Sequence, residues 1–264
     1  MTGIAPTLEI KETSRNVGDF IKNHKEVFWN IVKPLLPWIV GLYAIDIFVT
    51  VVFMPESKNG FSLGSIVANY FYTALVISWH RVVIHGPENA VPMNPFKPQK
   101  HELIFLGMGV LLGLAAFVVG FIIGGGAFFI HPALGIAALL ILMPLGAYIG
   151  YRLSFYFPAK AVNNSITFKK AFSLTKGYFW KLMGASFMAS VKYILGIFVF
   201  FILVFIVLTI LGFILGSIGD NAIIQGIFGL IFSIPVLAYF YPLIIIVGVT
   251  TLSNYYLYAL QNKT

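Results

Sequence analysis

The sequence predicts an all-α, polytopic membrane protein: a bundle of six transmembrane helices accompanied by amphipathic interfacial helices. Hydrophobic residues make up 59% of the 264 residues and charged residues only 10%, against roughly 45–50% and about 25% in ordinary soluble domains. The apolar residues also form long runs, such as Leu103–Phe129 and Ile194–Leu215. Each run exceeds the roughly 20 residues that cross a bilayer. These observations exclude a water-soluble globular protein.

Six apolar segments are predicted to cross the membrane, within one integral membrane domain covering residues 1–264. The predicted spans are 35–54, 63–83, 103–125, 133–157, 193–216 and 236–258. One helix from Gly177 to Gly219 would be about 65 Å long, twice the hydrocarbon core of about 30 Å. The sequence therefore predicts a break at Ser190–Tyr193, with Lys192 at the inner boundary of span five.

The basic residues give this six-span topology an orientation. Of the 17 Lys and Arg residues, 15 fall on the side of the two termini, Lys58 falls on the opposite side and Lys192 lies at a span entrance. Basic residues in short loops mark the cytoplasmic side, so we expect both termini in the cytoplasm. The net charge of +8 is then explained by the orientation of the chain in the membrane, so we expect no nucleic-acid partner. The chain has no cysteine, which excludes disulfides and thiolate metal sites.

Two stretches beside the spans, 14–33 and 166–190, are predicted interfacial helices. Each places an apolar stripe at helical spacing opposite polar and cationic residues, as in helices that lie among anionic headgroups. The alternative is that each stripe packs on the protein's own bundle. The predicted lipid-interface residues are Trp29, Arg152, Lys169, Lys170, Lys176, Trp180 and Lys181.

Asp46 is the one carboxylate inside a predicted span. Counting about 1.5 Å per residue from the inner boundary puts it level with Asn69 or Tyr70 on the next helix. With Lys192 these residues form the intramembrane polar candidates. A charge at this depth is costly and marks a functional candidate. The other interpretation is a hydrogen-bonded pair that only joins two helices.

Glycines spaced one helical turn apart are the predicted helix-packing sites, because they let backbones approach closely. The pairs are Gly109 and Gly113, Gly120 and Gly124, Gly146 and Gly150, and Gly212 and Gly216.

His80-Arg81 followed by Pro87-Glu88-Asn89 is similar to the His-Arg-Gly … Pro-Glu-Asn-Thr pattern of glycerophosphodiester phosphodiesterases. That pattern implies a metal-dependent phosphodiesterase using His80 and Glu88. Here Val82 and Ala90 replace the Gly and the Thr. We therefore expect Arg81 to be an inner-boundary anchor and the protein not to be an enzyme, with no catalytic residue, metal or cofactor.

A longer resemblance covers about 40 residues. Arg152-Leu-Ser154, Pro158-Ala159 and Ala171 to Leu182, with the ending Thr251-Leu252 … Tyr255-Tyr256-Leu257, resemble the membrane domain attached to some glycerophosphodiester phosphodiesterases and related stand-alone six-helix bacterial proteins. Asn163-Asn164 departs from the acidic residue often found there. The resemblance implies a six-helix architecture in a bacterial inner (plasma) membrane and carries no activity.

Together these features predict a non-catalytic membrane protein that binds anionic lipid headgroups, another membrane protein or a second copy of itself. A small transporter or channel centred on Asp46 is the alternative, since transporters place polar groups at mid-bilayer. The phosphodiesterase-like enzyme is a third, weaker hypothesis.

Overall fold

A computed structural model describes residues 4–53, 63–215 and 234–263 as helices and their connections, without a β-strand in those ranges. π-Helical turns lie at Gly120–Gly125 and Val236–Phe240, directly before the α-helices that begin at Gly126 and Tyr241. The helices are α1 (Ile10–Asn23), α2 (Lys25–Val32), α3 (Leu36–Phe53), α4 (Leu63–His85), α5 (Lys100–Val119), α6 (Gly126–Ile130), α7 (Pro132–Leu153), α8 (Tyr156–Ala161), α9 (Phe168–Leu174), α10 (Phe179–Leu215) and α11 (Tyr241–Lys263).

Four helical segments of the described chain are long and apolar enough to cross a membrane. In the first three of these segments, counted along the chain, only 0–6% of the residues in the most apolar stretch are buried; in the fourth segment 39% are buried. Apolar surface of this extent needs lipid around it. The bent pair of α2 and α3 makes up to five such segments. The predicted all-helical fold is thus confirmed for the described residues, and it includes four candidate membrane-spanning segments. The four segments are Lys100–Ile130, Pro132–Ala161, Phe179–Val207 and Val236–Asn262.

The buried core lies at the end of the bundle where the two described termini meet. We call this part the base: α1, α2, α8 and α9, with the ends of α4, α10 and α11 that pack on them. Polar pairs tie its helices together. The Trp79 indole donates to Thr250 Oγ1 (2.8 Å), and the Asn254 side chain both donates to and accepts from the backbone of Thr7.

The predicted helix at 14–33 is two helices, which meet at His24. Its apolar stripe is buried in the base, because Val17, Phe20 and Phe28 are almost fully covered. The rings of Phe20 and Phe28 lie 6.1 and 5.9 Å from Trp79. Of the two interpretations of this stripe, the structure supports packing on the protein's own bundle.

The predicted break at Ser190–Tyr193 is wrong, since α10 runs for 37 residues without interruption. The chain turns earlier, at Gly177, whose φ of +85° is a conformation that favours glycine. The predicted helix at 166–190 is therefore α9, a turn and the first part of α10. That first part packs along α1, where a Cβ on Gly184 would lie 3.1 Å from Ile10. The base thus accommodates the excess length of this helix.

Most of the predicted packing glycines have no close neighbour among the described residues. Apart from the backbone of its own helix, a Cβ on Gly109, Gly113, Gly120, Gly146 or Gly150 would have no described atom within 4 Å, whereas one on Gly124 would lie 3.1 Å from Leu139. The surroundings of Gly212 and Gly216 fall outside the described part of the chain. Close approach occurs instead at Gly64, where a Cβ would lie 2.6 Å from the Leu42 carbonyl oxygen, and at Gly135, where a Cβ would lie 2.2 Å from the Phe128 ring.

Candidate functional site

Asp46 lies beside the N-terminus of α4 and not at the level of Asn69. Its Oδ1 is 3.4 Å from the Gly64 amide nitrogen, which can donate to it. A carboxylate is stabilised by the N-terminal end of a helix. The Tyr70 hydroxyl donates to the Pro95 carbonyl oxygen, and Asn69 is exposed. The predicted level was wrong because α4 extends past the start of α3 into the base, which shifts the register of the two helices.

Arg81 is the centre of a buried polar network, where the sequence predicted a boundary anchor. Its Nη2 donates to Glu102 Oε1 (2.7 Å), and its Nε and Nη1 donate to the carbonyl oxygens of Ala161 (2.7 Å) and Val91 (2.9 Å). Arg81 is 7% exposed and Glu102 1% exposed. The network joins α4, α5, α8 and the connection between α4 and α5. The rigid guanidinium fork suits such several-fold donation.

Helix α5 begins on the same network. The other oxygen of Glu102, Oε2, accepts from the Gln99 amide (2.6 Å), and the two residues form a capping box. His101 Nε2 lies 2.9 Å from Arg81 Nη2. Arginine has only donors, so this nitrogen accepts and His101 is neutral. Arg81 and His101 both line a cleft of about 340 Å³.

The two halves of the phosphodiesterase-like motif occupy different environments. His80 is buried and its Nδ1 lies 2.7 Å from Ser253 Oγ. Glu88 is exposed on the loop after α4, and a hydrogen bond from its own backbone lowers the pKa of its carboxyl group. Within the described residues no three His, Cys, Asp or Glu side chains form a group that could hold a metal ion. The arrangement gives the phosphodiesterase hypothesis no support.

Arg152, predicted to face lipid, is 8% exposed and connects α7 to α9. Its guanidinium lies 4.0 Å from the Phe172 ring centroid and donates to the Phe172 carbonyl oxygen (2.7 Å) and the Tyr148 hydroxyl (3.0 Å). In return, the Thr175 hydroxyl donates to the Arg152 carbonyl oxygen (2.8 Å). These contacts fix the position of α9 on the base.

Several cationic and aromatic side chains between residues 168 and 181 form an exposed surface. Lys169, Lys170 and Lys176 are exposed, and Trp180 is 72% exposed. Lys181 is half-buried. Phe168 and Phe172 are each 38% exposed. We call this cationic and aromatic surface, 168–181, the α9–α10 band.

A second cationic feature is a cleft of about 490 Å³ between α1, α2, α10 and the start of α11. Four cations, one carboxylate and four aromatic side chains are among the described residues that line it. Helix α1 contributes positions four and seven residues apart, which lie on one face. We call it the Lys192 cleft; its charged residues are Arg15, Asp19, Lys22, Lys25 and Lys192, and its aromatic rim is Trp29, Tyr193 and Tyr239.

The geometry of the cleft places Lys192 against α1. A Cβ on Gly18 would lie 3.3 Å from Lys192 Nζ, so the Lys192 ammonium group lies directly against the backbone of α1. Lys192 Nζ also lies 4.9 Å from the centroid of its neighbour Tyr193. Trp29 stacks on Tyr239 with ring centroids 5.9 Å apart. None of the four cations forms an ion pair with another described residue.

Sequence reasoning identified Lys192 and Trp29 but not the cleft that joins them. Arg15, Lys22 and Lys25 entered the sequence argument as indicators of orientation, and Lys22 also as part of the polar face of the predicted helix at 14–33. The seven-residue spacing of Arg15 and Lys22, which places them on one face of α1, was the available signal. Tyr239 lies more than 200 residues from Trp29 in sequence, so no local pattern indicates their contact.

Comparison with known proteins adds no family to this description. The sequence matches no protein-family model, and no curated protein and no solved structure matches the chain. The resemblance to the membrane domain of glycerophosphodiester phosphodiesterases stays a prediction.

Proposed function

We propose that this protein is a non-catalytic integral membrane protein that binds anionic lipids through its cytoplasmic side. In this proposal it crosses a bacterial plasma membrane six times and has both termini in the cytoplasm. The observation that carries the proposal is the α9–α10 band. Its exposed lysines and aromatic side chains adjoin helices whose apolar surfaces are exposed.

Exposed cations and aromatic rings side by side are characteristic of the headgroup layer. Aromatic rings favour the membrane–water boundary, and each Lys near an anionic surface contributes roughly 1 kcal/mol of attraction. Because the lysines of the band are exposed to solvent, this attraction should weaken as salt screens it.

Helix lengths support the six-span topology. In the proposed topology α4, which has 23 residues and is about 34 Å long, makes the second crossing, and its last part around Arg81 lies in the base on the cytoplasmic side. Lys192 is the last charged residue of α10, and Tyr193–Leu215 contains none. This uncharged segment measures about 35 Å. Lys192 therefore lies at the expected inner boundary although the helix continues through it.

Lipid composition around the purified protein tests the proposal. The full chain is reconstituted in nanodiscs with a defined mixture of phosphatidylglycerol and phosphatidylcholine, and the enrichment of the anionic lipid next to the protein is measured with spin-labelled lipids. We expect enrichment that falls with salt and with Lys169→Gln/Lys170→Gln. The matched control is Lys97→Gln/Lys100→Gln, which removes the same charge from exposed lysines outside the band.

Two results would contradict the proposal. One is equal mobility of the two spin-labelled lipids beside the wild-type protein at low salt. The other is an equal loss of enrichment in the band variant and in the control, because this would assign the effect to net charge alone.

A further inference from the structure

We infer that the Lys192 cleft binds the headgroup of one glycerophospholipid that carries two negative charges. This inference rests on the proposed function, and it names a saturable site in addition to the exposed α9–α10 band. The cleft and the band are built from different residues, so each can be altered without the other.

The charge of the cleft calls for an anion. Arg15, Lys22, Lys25 and Lys192 face one space together with a single carboxylate, that of Asp19. None of these cations is paired with another described residue. Like charges that converge without partners repel one another. An anion bound between them removes this repulsion and gains charge-assisted hydrogen bonds.

The excess of cations selects the charge of the ligand. Four basic side chains against one acidic side chain leave a charge that a single phosphodiester would only partly balance. A phosphomonoester or a pair of phosphodiesters matches it better. The volume of about 490 Å³ lies in the range of about 300–1,000 Å³ that is usual for small-molecule sites.

The rest of the lining suits a lipid more than a soluble anion. The stacked pair of Trp29 and Tyr239 and the ring of Tyr193 border the cations. Leu243 and Phe28 also line the cleft. On the C-terminal side of Lys192 the surface of α10 becomes apolar, with Leu195 57% and Phe198 63% exposed. A phospholipid headgroup could therefore lie in the cleft while its acyl chains follow α10.

Native mass spectrometry of the detergent-purified full chain tests the site. Phosphatidic acid and cardiolipin are titrated as dianionic lipids, phosphatidylglycerol as a monoanionic one and phosphatidylcholine as a neutral one. We expect one tightly retained dianionic lipid. Lys22→Gln/Lys192→Gln should weaken its binding roughly tenfold or more, since each cation contributes to the attraction. Lys97→Gln/Lys100→Gln should change it less than about twofold.

Asp19→Asn keeps the test informative if the double variant folds poorly. Removing the one carboxylate among the described residues that line the cleft should tighten dianionic lipid binding roughly fivefold. A damaged fold would not produce tighter binding. Circular dichroism and size-exclusion profiles of each variant establish that the compared proteins are folded.

A free anion is distinguished from a lipid by competition. Inorganic phosphate and glycerol 3-phosphate at millimolar concentration should not displace the retained lipid. Displacement by either would assign the cleft to a soluble anion and overturn the lipid inference.

The inference and the proposed function fail in different ways. Anionic enrichment in nanodiscs combined with equal lipid retention in wild type, Lys22→Gln/Lys192→Gln and Asp19→Asn would overturn the cleft alone. Loss of enrichment in the α9–α10 band variant with the single retained lipid unchanged is the result expected if both hold. A wild-type protein that neither enriches nor retains anionic lipids would overturn both.

Discussion

Glu102→Gln should destabilise the protein strongly, because it leaves the buried Arg81 charge without a counterion. In the native structure one carboxylate oxygen of Glu102 accepts from the Arg81 guanidinium at 2.7 Å, and the other accepts from the backbone N–H of Gln99 at 2.6 Å. Glutamine offers one oxygen, so its amide group would face one of these donors. Breaking a buried ion pair on one side costs about 3–5 kcal/mol. We expect that loss in the free energy of unfolding, measured in mixed micelles by titration with dodecyl sulfate.

Glu26→Gln is the matched control for this experiment. Glu26 also lies in the first turn of its helix but is exposed. Its replacement therefore removes a similar interaction with the helix end, worth roughly 0.3–1 kcal/mol, but leaves no buried charge without a counterion. A double variant, Arg81→Met/Glu102→Leu, should cost less than the sum of its single changes. If Glu102→Gln were no more destabilising than Glu26→Gln, the network would not be what holds α4, α5 and α8 together.

Three further predictions use the same unfolding assay. Gly64→Ala should lower the free energy of unfolding by about 1–3 kcal/mol through overpacking, because the new Cβ would lie 2.6 Å from a carbonyl oxygen. Gly109→Ala, at a position in open space, is the control and should be neutral or stabilising. Equal effects of the two variants on stability would contradict the close approach at Gly64. Asp46→Asn keeps an oxygen that can accept from the backbone amide of Gly64, so it should change the free energy of unfolding by less than about 1 kcal/mol. It should also leave ion flux in liposomes unchanged. If the wild-type protein conducts ions and this variant does not, the transporter hypothesis would be favoured. Arg152→Lys should cost about 1–3 kcal/mol and expose the segment around Phe172 to proteolysis; unchanged protease resistance would contradict its role in fixing α9.

Hydropathy and spacing located the helices because a segment suited to lipid has a local excess of apolar residues that can be read directly from the sequence. Described helices overlap each predicted span, and the stripe on 14–33 is the buried face of α1 and α2. An apolar stripe looks the same whether lipid or protein covers it, so the sequence left that alternative open. The contact of Phe28 with Trp79 decided it.

Depth and register were beyond the sequence because they depend on contacts between distant residues. The pairing of Asp46 with Gly64 follows from how far α4 enters the base, which no apolar run reports. Glycine spacing likewise indicates where a second helix has room to pack closely, but not whether a second helix is present there. Gly109 faces open space, whereas Gly64 packs closely against α3.

The Arg81 network had a weak local signal. Gln99 and Glu102 are spaced as a capping box at the start of a helix, which marks Glu102 as a candidate for a fixed orientation. Its partner Arg81 and the carbonyl oxygen of Ala161 are 21 and 59 residues away in sequence. Their convergence appears only when α4, α5 and α8 are packed.

Compartment labelling of single cysteines tests the central claim, that the chain crosses the membrane six times and returns to the side on which it began. The natural chain contains no cysteine, so a membrane-impermeant maleimide reports only the introduced thiol. In intact spheroplasts we expect Lys58→Cys to be labelled from outside and Asn262→Cys to be labelled only after permeabilisation. Labelling of both positions from the same side would contradict the six-span topology and, with it, the cytoplasmic placement of the α9–α10 band and the Lys192 cleft.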